Sequence, residues 1–171
     1  MVAWLNSVLQ ERLRYTPLGW SKKYEFNESD LKCALDTLDS WIEMYPNEIQ
    51  WNAIGKLFYN CIYGAKIDNE FDQNLLVTFV NKYISDLCFK GKFLLVDDKL
   101  DKILLKEFTK KDEYLYWINN IELEQKPSWL GLSNNAESIL LTNIAKEMLK
   151  SVLVCKDKDE EFDMGILDYF I

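Results

Sequence analysis

Histidine is missing from this sequence altogether, and arginine is nearly so, since Arg12 and Arg14 are the only two among 171 residues. Nucleophilic catalysis through a histidine base is thereby excluded, because a Ser-His or Cys-His pair needs an imidazole. The chain also lacks the G-x-x-x-x-G-K-S/T and G-x-G-x-x-G loops that cradle nucleotide phosphates. The residues by themselves therefore predict no catalytic, cofactor-binding or metal-binding site.

Cysteine is sparse, and its spacing is not that of a metal site. Cys33, Cys61, Cys88 and Cys155 form no C-x-x-C pair, which argues against structural zinc. Cys33 and Cys61 fall within helical apolar patterns and are predicted to be small buried hydrophobic residues. This use of cysteine is typical of a reducing, cytosolic compartment.

Positive charge and long apolar runs are also scarce. The formal net charge is −8, and Lys22-Lys23 and Lys110-Lys111 are the only places where cations concentrate, so nucleic acid is not expected as a partner. No apolar run reaches the length of a membrane span, and the opening residues lack the basic start of a signal peptide. The carboxylate pairs Asp97-Asp98 and Glu160-Glu161 are predicted to be solvated surface.

What the sequence does contain is apolar material, 49% of all residues, arranged with helical spacing. Asn27 or Ser29 is predicted to cap the second helix, and Pro17 and Pro46 are expected to end the first and second. In the fourth helix Phe71, Leu75, Phe79 and Tyr83 are predicted to share the buried face. Helices are predicted over residues 3–14, from Asn27 to Tyr45, over 48–62, from Asp68-Asn69 to Tyr83, over 110–122 and from Asn134 or Asn135 to about Val154.

Residues 86–106 differ in character from the helical segments. Two short apolar runs, Phe93–Val96 and Ile103–Leu105, are separated by a connection rich in Asp and Lys, which predicts a β-hairpin. The predicted fold is therefore mainly α: a helical bundle with one short hairpin, followed by a long C-terminal helix. The last residues, KDKDEEFDMGILDYFI, are acidic and then apolar, which fits either a disordered end or a short docking segment.

Aromatic residues are concentrated on the short links between these helices. They either hold the links on the bundle or form contact surfaces for a neighbouring domain, where aromatic residues and arginine are enriched. The predicted interface residues are Arg12, Arg14, Trp20, Tyr24, Tyr63 and Trp129.

Three stretches carry a resemblance to a known family. QERLRYTPLGWSKKYEFNESDL at 10–31, CIYGAKIDNEFDQNLL at 61–76 and PSWLGLSNNAE at 127–137 resemble the C-terminal end of the dynein heavy chain, in the same order over about residues 4–150. Residues 1–106 look like the small helical lid of its sixth AAA+ module, with the hairpin at 86–106. Residues 107–171 resemble the start of the C-terminal domain, either in its short fungal form or cut short, with helices near 110–122 and 134–154 and the acidic and apolar tail.

The resemblance implies a function that the residues alone do not. Dynein heavy chains are minus-end-directed microtubule motors built on a ring of six AAA+ modules, and ATP with magnesium is hydrolysed chiefly at the first. The fifth and sixth modules do not bind nucleotide, so no cofactor is expected here, and Met1 is expected to begin an excised segment. Neighbouring AAA+ modules are the implied partners, with microtubules and dynein subunits reached only through the rest of the parent. The implied location is cytoplasmic and cytoskeleton-associated.

The distribution of arginine is compatible with a non-catalytic lid. A nucleotide-competent AAA+ lid typically offers an arginine from its third helix to the phosphates, whereas here that helix has only Lys56 and both arginines lie in the first. Lysine does not replace the bidentate guanidinium. The expected function is a structural segment that transmits conformational change around the ring. The alternative is a free-standing helical adaptor that binds a partner helix or peptide in a groove.

Overall fold

Six α-helices and a two-stranded hairpin form the described part of the computed structural model, which comprises residues 1–89, 91–98, 102–121 and 126–156. The prediction of a mainly helical fold with one short hairpin is confirmed. The helices are α1 (Val2–Glu11), α2 (Glu28–Met44), α3 (Trp51–Leu57), α4 (Glu70–Tyr83), α5 (Lys111–Asn119) and α6 (Ala136–Lys156), and the strands are β1 (Leu94–Asp97) and β2 (Lys102–Leu104). Single 3₁₀ turns occupy Arg12–Tyr15, Gly64–Lys66, Asp86–Phe89 and Pro127–Leu130, and Phe58–Ile62 forms a π turn.

The start of α2 is fixed by a capping box. The Asn27 side-chain oxygen accepts hydrogen bonds from the backbone N–H groups of Ser29 and Asp30 at 3.0 and 3.4 Å. The Asp30 carboxylate accepts the Asn27 N–H in return, at 2.8 Å. These bonds satisfy donors that the first helical turn leaves unpaired, so of the two predicted N-caps, Asn27 and Ser29, the structure has Asn27.

The core lies where α1 packs between α2 and α4. Leu5 and Leu9 of α1 are fully buried, as are Ile54 of α3 and Leu76 and Val80 of α4. The two residues of α1 and the two of α4 are each spaced four positions apart, so both helices present an apolar stripe to this centre.

The hairpin is joined to this core through β1. Leu94 pairs with Leu104 and Val96 with Ile103, and the register shifts between Leu94 and Val96. This bulge places Leu95 and Val96 inside together, although consecutive strand residues normally face opposite sides. The Tyr83 hydroxyl at the end of α4 donates a hydrogen bond to the Leu95 carbonyl at 3.2 Å.

The predicted burial of Cys33 and Cys61 is wrong, because both are exposed. Cys33 lies on the side of α2 opposite Ala34 and Leu38, which face the bundle. Cys61 lies in the π turn, where the Tyr63 N–H bonds to the carbonyl of Phe58, five residues back, at 3.0 Å. The wider turn therefore places Tyr63, not Cys61, on the buried face after Phe58.

The fourth helix departs from the prediction in its first turn, whereas Phe79 and Tyr83 are buried as predicted. Phe71, predicted to be buried, is 84% exposed, whereas the adjacent Asp72 is buried. Asp72 faces inward because it accepts hydrogen bonds from Ser21 and Tyr24. Since neighbouring helical residues point about 100° apart, this contact turns Phe71 into solvent.

The C-terminal helix is only partly covered by the bundle. Near the start of α6, Ala136 is buried and Leu140 packs on the core. The Asn143 side-chain amide then donates hydrogen bonds to the carbonyls of Arg14 and Thr16, at 3.0 and 2.8 Å. Beyond Asn143 the apolar side chains face solvent. The predicted tail, residues 157–171, lies outside the described residues.

Candidate functional site

Arg12 is a buried charged residue that stabilises the first turn of the chain. Its side chain is 3% exposed and lies where α1 ends. Nε donates a hydrogen bond to the Gly19 carbonyl at 3.0 Å, and Nη1 donates to the carbonyl of Leu130. One guanidinium thus joins α1 to the turn before Trp20 and to the turn at 127–130, which is 118 positions away.

Aromatic rings enclose the same guanidinium. Its central carbon lies 4.9 Å from the centre of the Phe79 ring and 5.6 Å from that of Trp20, within the range of cation–π attraction. Burial lowers the pKa of Arg12 to about 10, and the Asp72 carboxylate acts in the opposite direction. Because the guanidinium is enclosed and bound to backbone carbonyls, it is a structural cation rather than a free binding group.

Trp20 packs beneath the turn and anchors it to α1. Its indole is fully buried, and Nε1 donates a hydrogen bond to the Leu9 carbonyl near the end of α1 at 3.0 Å. The Tyr24 ring meets it edge-on at 5.9 Å, and the Phe26 ring lies at 5.6 Å. The preceding residue must be glycine, since a Cβ on Gly19 would lie 2.0 Å from the Arg12 carbonyl oxygen.

Asp72 of α4 fixes the next part of the link, a role that the sequence pattern does not predict. Its carboxylate accepts hydrogen bonds from the Ser21 N–H at 3.0 Å and from the Tyr24 hydroxyl at 2.6 Å. Burial, together with this hydrogen bond to the carboxylate, raises the pKa of Tyr24. In the sequence, Asp72 looks like an ordinary acid of a first helical turn, and nothing local indicates a contact 51 positions away.

The remaining predicted residues divide between core and surface. Tyr63 is fully buried; its hydroxyl donates to the Asn6 side chain at 3.3 Å, and burial raises the pKa of Tyr63. Trp129 is 8% exposed in the turn before α6. Arg14 differs, because its side chain is 54% exposed and pairs with Glu11.

Five of the six predicted interface residues therefore lie inside the fold. Arg12, Trp20, Tyr24, Tyr63 and Trp129 are buried, which favours the interpretation that they hold the links on the bundle. Contact of any of the six with a neighbouring module stays a prediction, and Arg14 is the one whose side chain reaches the surface.

Metal-ligating side chains are scattered over the described residues. Among them, no three Cys, Asp or Glu side chains lie together so as to hold a metal ion. Lys56 on α3 is exposed. A shallow groove over α2 is lined by side chains of that single helix, including Cys33, Thr37 and Met44, so it does not enclose a ligand.

Across the described helices, none is both long enough and apolar enough to cross a membrane.

Comparison with known proteins identifies the bundle. The family model for the dynein heavy chain AAA lid domain matches residues 1–136, which include every helix of the bundle, the hairpin and the start of α6. The chain belongs to this family.

Individual relatives extend the similarity of the lid beyond residue 136. The chain is 42% identical to a cytoplasmic dynein heavy chain from Drosophila melanogaster over 96% of its own length and 4% of that protein. It is 39% identical to the one from Caenorhabditis elegans, over 95% of this chain and 4% of the relative. A cytoplasmic dynein heavy chain from Neurospora crassa is 30% identical, over 94% of this chain and 4% of the relative. The lid chain thus spans about 4% of the length of the curated relatives it matches.

Proposed function

We propose that this chain is a non-catalytic segment of the motor ring of a dynein heavy chain, the lid of its sixth AAA+ module. It packs against neighbouring AAA+ modules and transmits conformational change between them. ATP and magnesium bind in other modules of the parent, and microtubules are reached through them. The relatives are named as cytoplasmic dyneins, which supports a cytoplasmic location. The match to the lid family favours this function over a free-standing adaptor.

The position of the guanidinium groups carries the proposal. Arg12 is enclosed by Trp20, Phe79 and two backbone carbonyls, and Arg14 pairs with Glu11. The third helix, from which a nucleotide-binding lid typically reaches the phosphates, presents Lys56 instead. Since lysine lacks the planar, bidentate donor geometry of arginine, this lid is suited to a structural role.

Helix α5 provides the contact surface on which the packing part of the proposal depends. None of its residues is buried, although several of them are apolar. Leu115 is 48% exposed and Ile118 is 53% exposed. Within the described residues, α5 has only Phe108 as an aromatic neighbour, against Tyr114 and Trp117. A helix of this length is marginal in water without a packing partner. We therefore assign its outer face to a neighbouring module.

We expect no heat when the isolated chain is titrated calorimetrically with ATP and magnesium. The melting temperature provides a second readout, because a ligand at a hundred times its Kd would stabilise the fold by about 2.7 kcal/mol. Millimolar ATP with magnesium should leave that temperature unchanged. Micromolar binding in either measurement would show that the lid takes nucleotide and would contradict the proposal.

Replacing both Leu115 and Ile118 with aspartate in the parent heavy chain should reduce microtubule-stimulated ATP hydrolysis about tenfold or more. Two carboxylates on a face that packs against a neighbour leave buried, unpaired charges. The same double variant of the 171-residue chain should melt like the unaltered chain, since α5 contributes no buried residue. Ser138→Asp, on an exposed position of α6, is the control in the parent. Full activity of the double variant would exclude α5 as the contact.

A further inference from the structure

The carbonyl of Arg14, in the 3₁₀ turn that ends the first helix, needs a partner from outside that helix. The donors that would ordinarily reach it belong to the residues three and four positions on. Pro17 has no N–H to donate, and the N–H of Leu18 bonds instead to the Tyr15 carbonyl at 2.8 Å. Because a carbonyl held in a folded corner is rarely left without a donor, another part of the chain must supply one.

Asn143 of α6 supplies that donor. Its side-chain amide nitrogen donates to the Arg14 carbonyl at 3.0 Å and to the Thr16 carbonyl at 2.8 Å. An amide nitrogen carries two N–H groups, so both are used here. Asn143 thus acts as a C-cap of the first helix, although it lies 129 and 127 positions from the residues that it binds.

The beginning of α6 is attached to the same corner. The Arg12 guanidinium donates to the carbonyl of Leu130 in the turn that leads to α6, and Ala136 is buried in the core. From Ala136 to Asn143 the helix rises about 10 Å. A helix that is held at two points this far apart has a fixed direction relative to the elements that hold it.

A third contact, between Lys23 and Glu147, contributes less. The two charged groups lie 3.6 Å apart, but both side chains are more than half exposed. Exposed ion pairs of this kind stabilise a fold only slightly. The bonds of Asn143, which lies half-buried against the corner, are therefore the main polar attachment of α6 beyond its first turn.

We propose that Asn143 is a positioning residue that joins α6 to the first helix, so that α1, the turn at 12–20 and α6 as far as residue 147 move as one rigid body. The family model ends at residue 136, where α6 begins, so this joint makes the first part of α6 a component of the lid. In the motor, a displacement of α6 would reach α1 through the joint. That consequence rests on the proposed function, whereas the joint itself is tested in this chain alone.

Amide hydrogen exchange of Asn143→Ala distinguishes the joint from helix propensity, because the two act in opposite directions. Alanine is a better helix former than asparagine, so propensity alone predicts slower exchange in α6. Loss of the two hydrogen bonds predicts exchange about tenfold faster in residues 137–147. The amide of Leu18, at the capped end of the first helix, should also exchange faster. Equal or slower exchange in 137–147 would contradict the proposal.

Two further variants serve as controls for this measurement. Thr142→Ala changes the adjacent exposed residue, whose hydroxyl bonds to the Ser138 carbonyl of its own helix at 2.8 Å, and exchange in 137–147 should stay the same or become slower. Asn143→Asp keeps the size of the side chain but has no N–H to donate, so it should repeat the effect of alanine. Exchange in Asn143→Asp equal to that of the unaltered chain would show that these hydrogen bonds do not join the helices.

Residual dipolar couplings measured by nuclear magnetic resonance test the rigid body directly. In the unaltered 171-residue chain, the N–H couplings of α1 and of residues 137–147 should fit a single alignment tensor. In Asn143→Ala the two helices should require separate tensors. If the unaltered chain already required two, the joint would not exist. This part of the experiment needs no variant, so it decides the question even if Asn143→Ala fails to fold.

Discussion

Replacing Trp20 with alanine is expected to lower the free energy of unfolding by about 3–5 kcal/mol, as in other truncations of fully buried aromatic residues. The ring is 0% exposed and contacts Tyr24, Phe26 and the guanidinium of Arg12. Its removal leaves a cavity beneath the 17–26 link and takes away one aromatic wall of a buried cation. Urea denaturation followed by circular dichroism measures the loss, and the melting temperature should fall with it.

Two further variants divide this effect into its parts. Trp20→Phe keeps most of the ring but loses the indole hydrogen bond to the Leu9 carbonyl, so a loss of about 1–2 kcal/mol is expected. Trp117→Ala removes an indole from α5, where no residue is buried, and should change stability little. If Trp20→Ala melted like the unaltered chain, the burial of Trp20 would not be what holds the link on the bundle.

The order of the helices could be predicted from the sequence because each helix repeats its apolar residues with a period near 3.6. The N-cap of α2 could be narrowed to Asn27 or Ser29, and the capping partner of Asn27, Asp30, lies only three residues away. Local signals of this kind need no knowledge of the rest of the fold. The bounds therefore agree with the structure to within a few residues for α2 and α4.

The direction of individual side chains could not be predicted, because it depends on distant partners. Phe71 and Asp72 exchange their expected sides because Ser21 and Tyr24, about 50 positions earlier, bind the carboxylate. Cys61 leaves the apolar face because the helical period widens to that of a π turn at 58–62, a change that residue spacing does not reveal.

The same difference between local signals and distant contacts applies to the candidate site. The density of aromatic residues and arginine on the links was visible in the sequence, but not whether those side chains face the core or a neighbour. Arg12 resembles an exposed cation at the end of a helix, and its burial depends on the carbonyl of Leu130 in a turn far along the chain. The turn at residues 12–20 is held together by its own charged and aromatic groups.

Gly64→Ala should destabilise the fold by about 3 kcal/mol or more, since overpacking against an immobile group is among the costly substitutions. A Cβ on Gly64 would lie 1.7 Å from the carbonyl oxygen of Tyr59 and 2.6 Å from its carbonyl carbon. Both atoms belong to the backbone of the π turn, so they cannot give way as a side chain does. Gln73 fixes the glycine from the other side, because its amide donates to the Gly64 carbonyl at 2.7 Å and to that of Ile67 at 3.0 Å.

Gly55→Ala is the matched control, because Gly55 is also buried and lies within α3. A Cβ there would meet no atom closer than 3.7 Å, which is ordinary van der Waals contact. Alanine favours a helix over glycine by about 1 kcal/mol, so this variant should be neutral or slightly more stable. Urea midpoints of the two variants should therefore move in opposite directions or differ widely. Equal midpoints would mean that the turn at 58–64 can relax around a methyl group, and that the π turn does not depend on glycine.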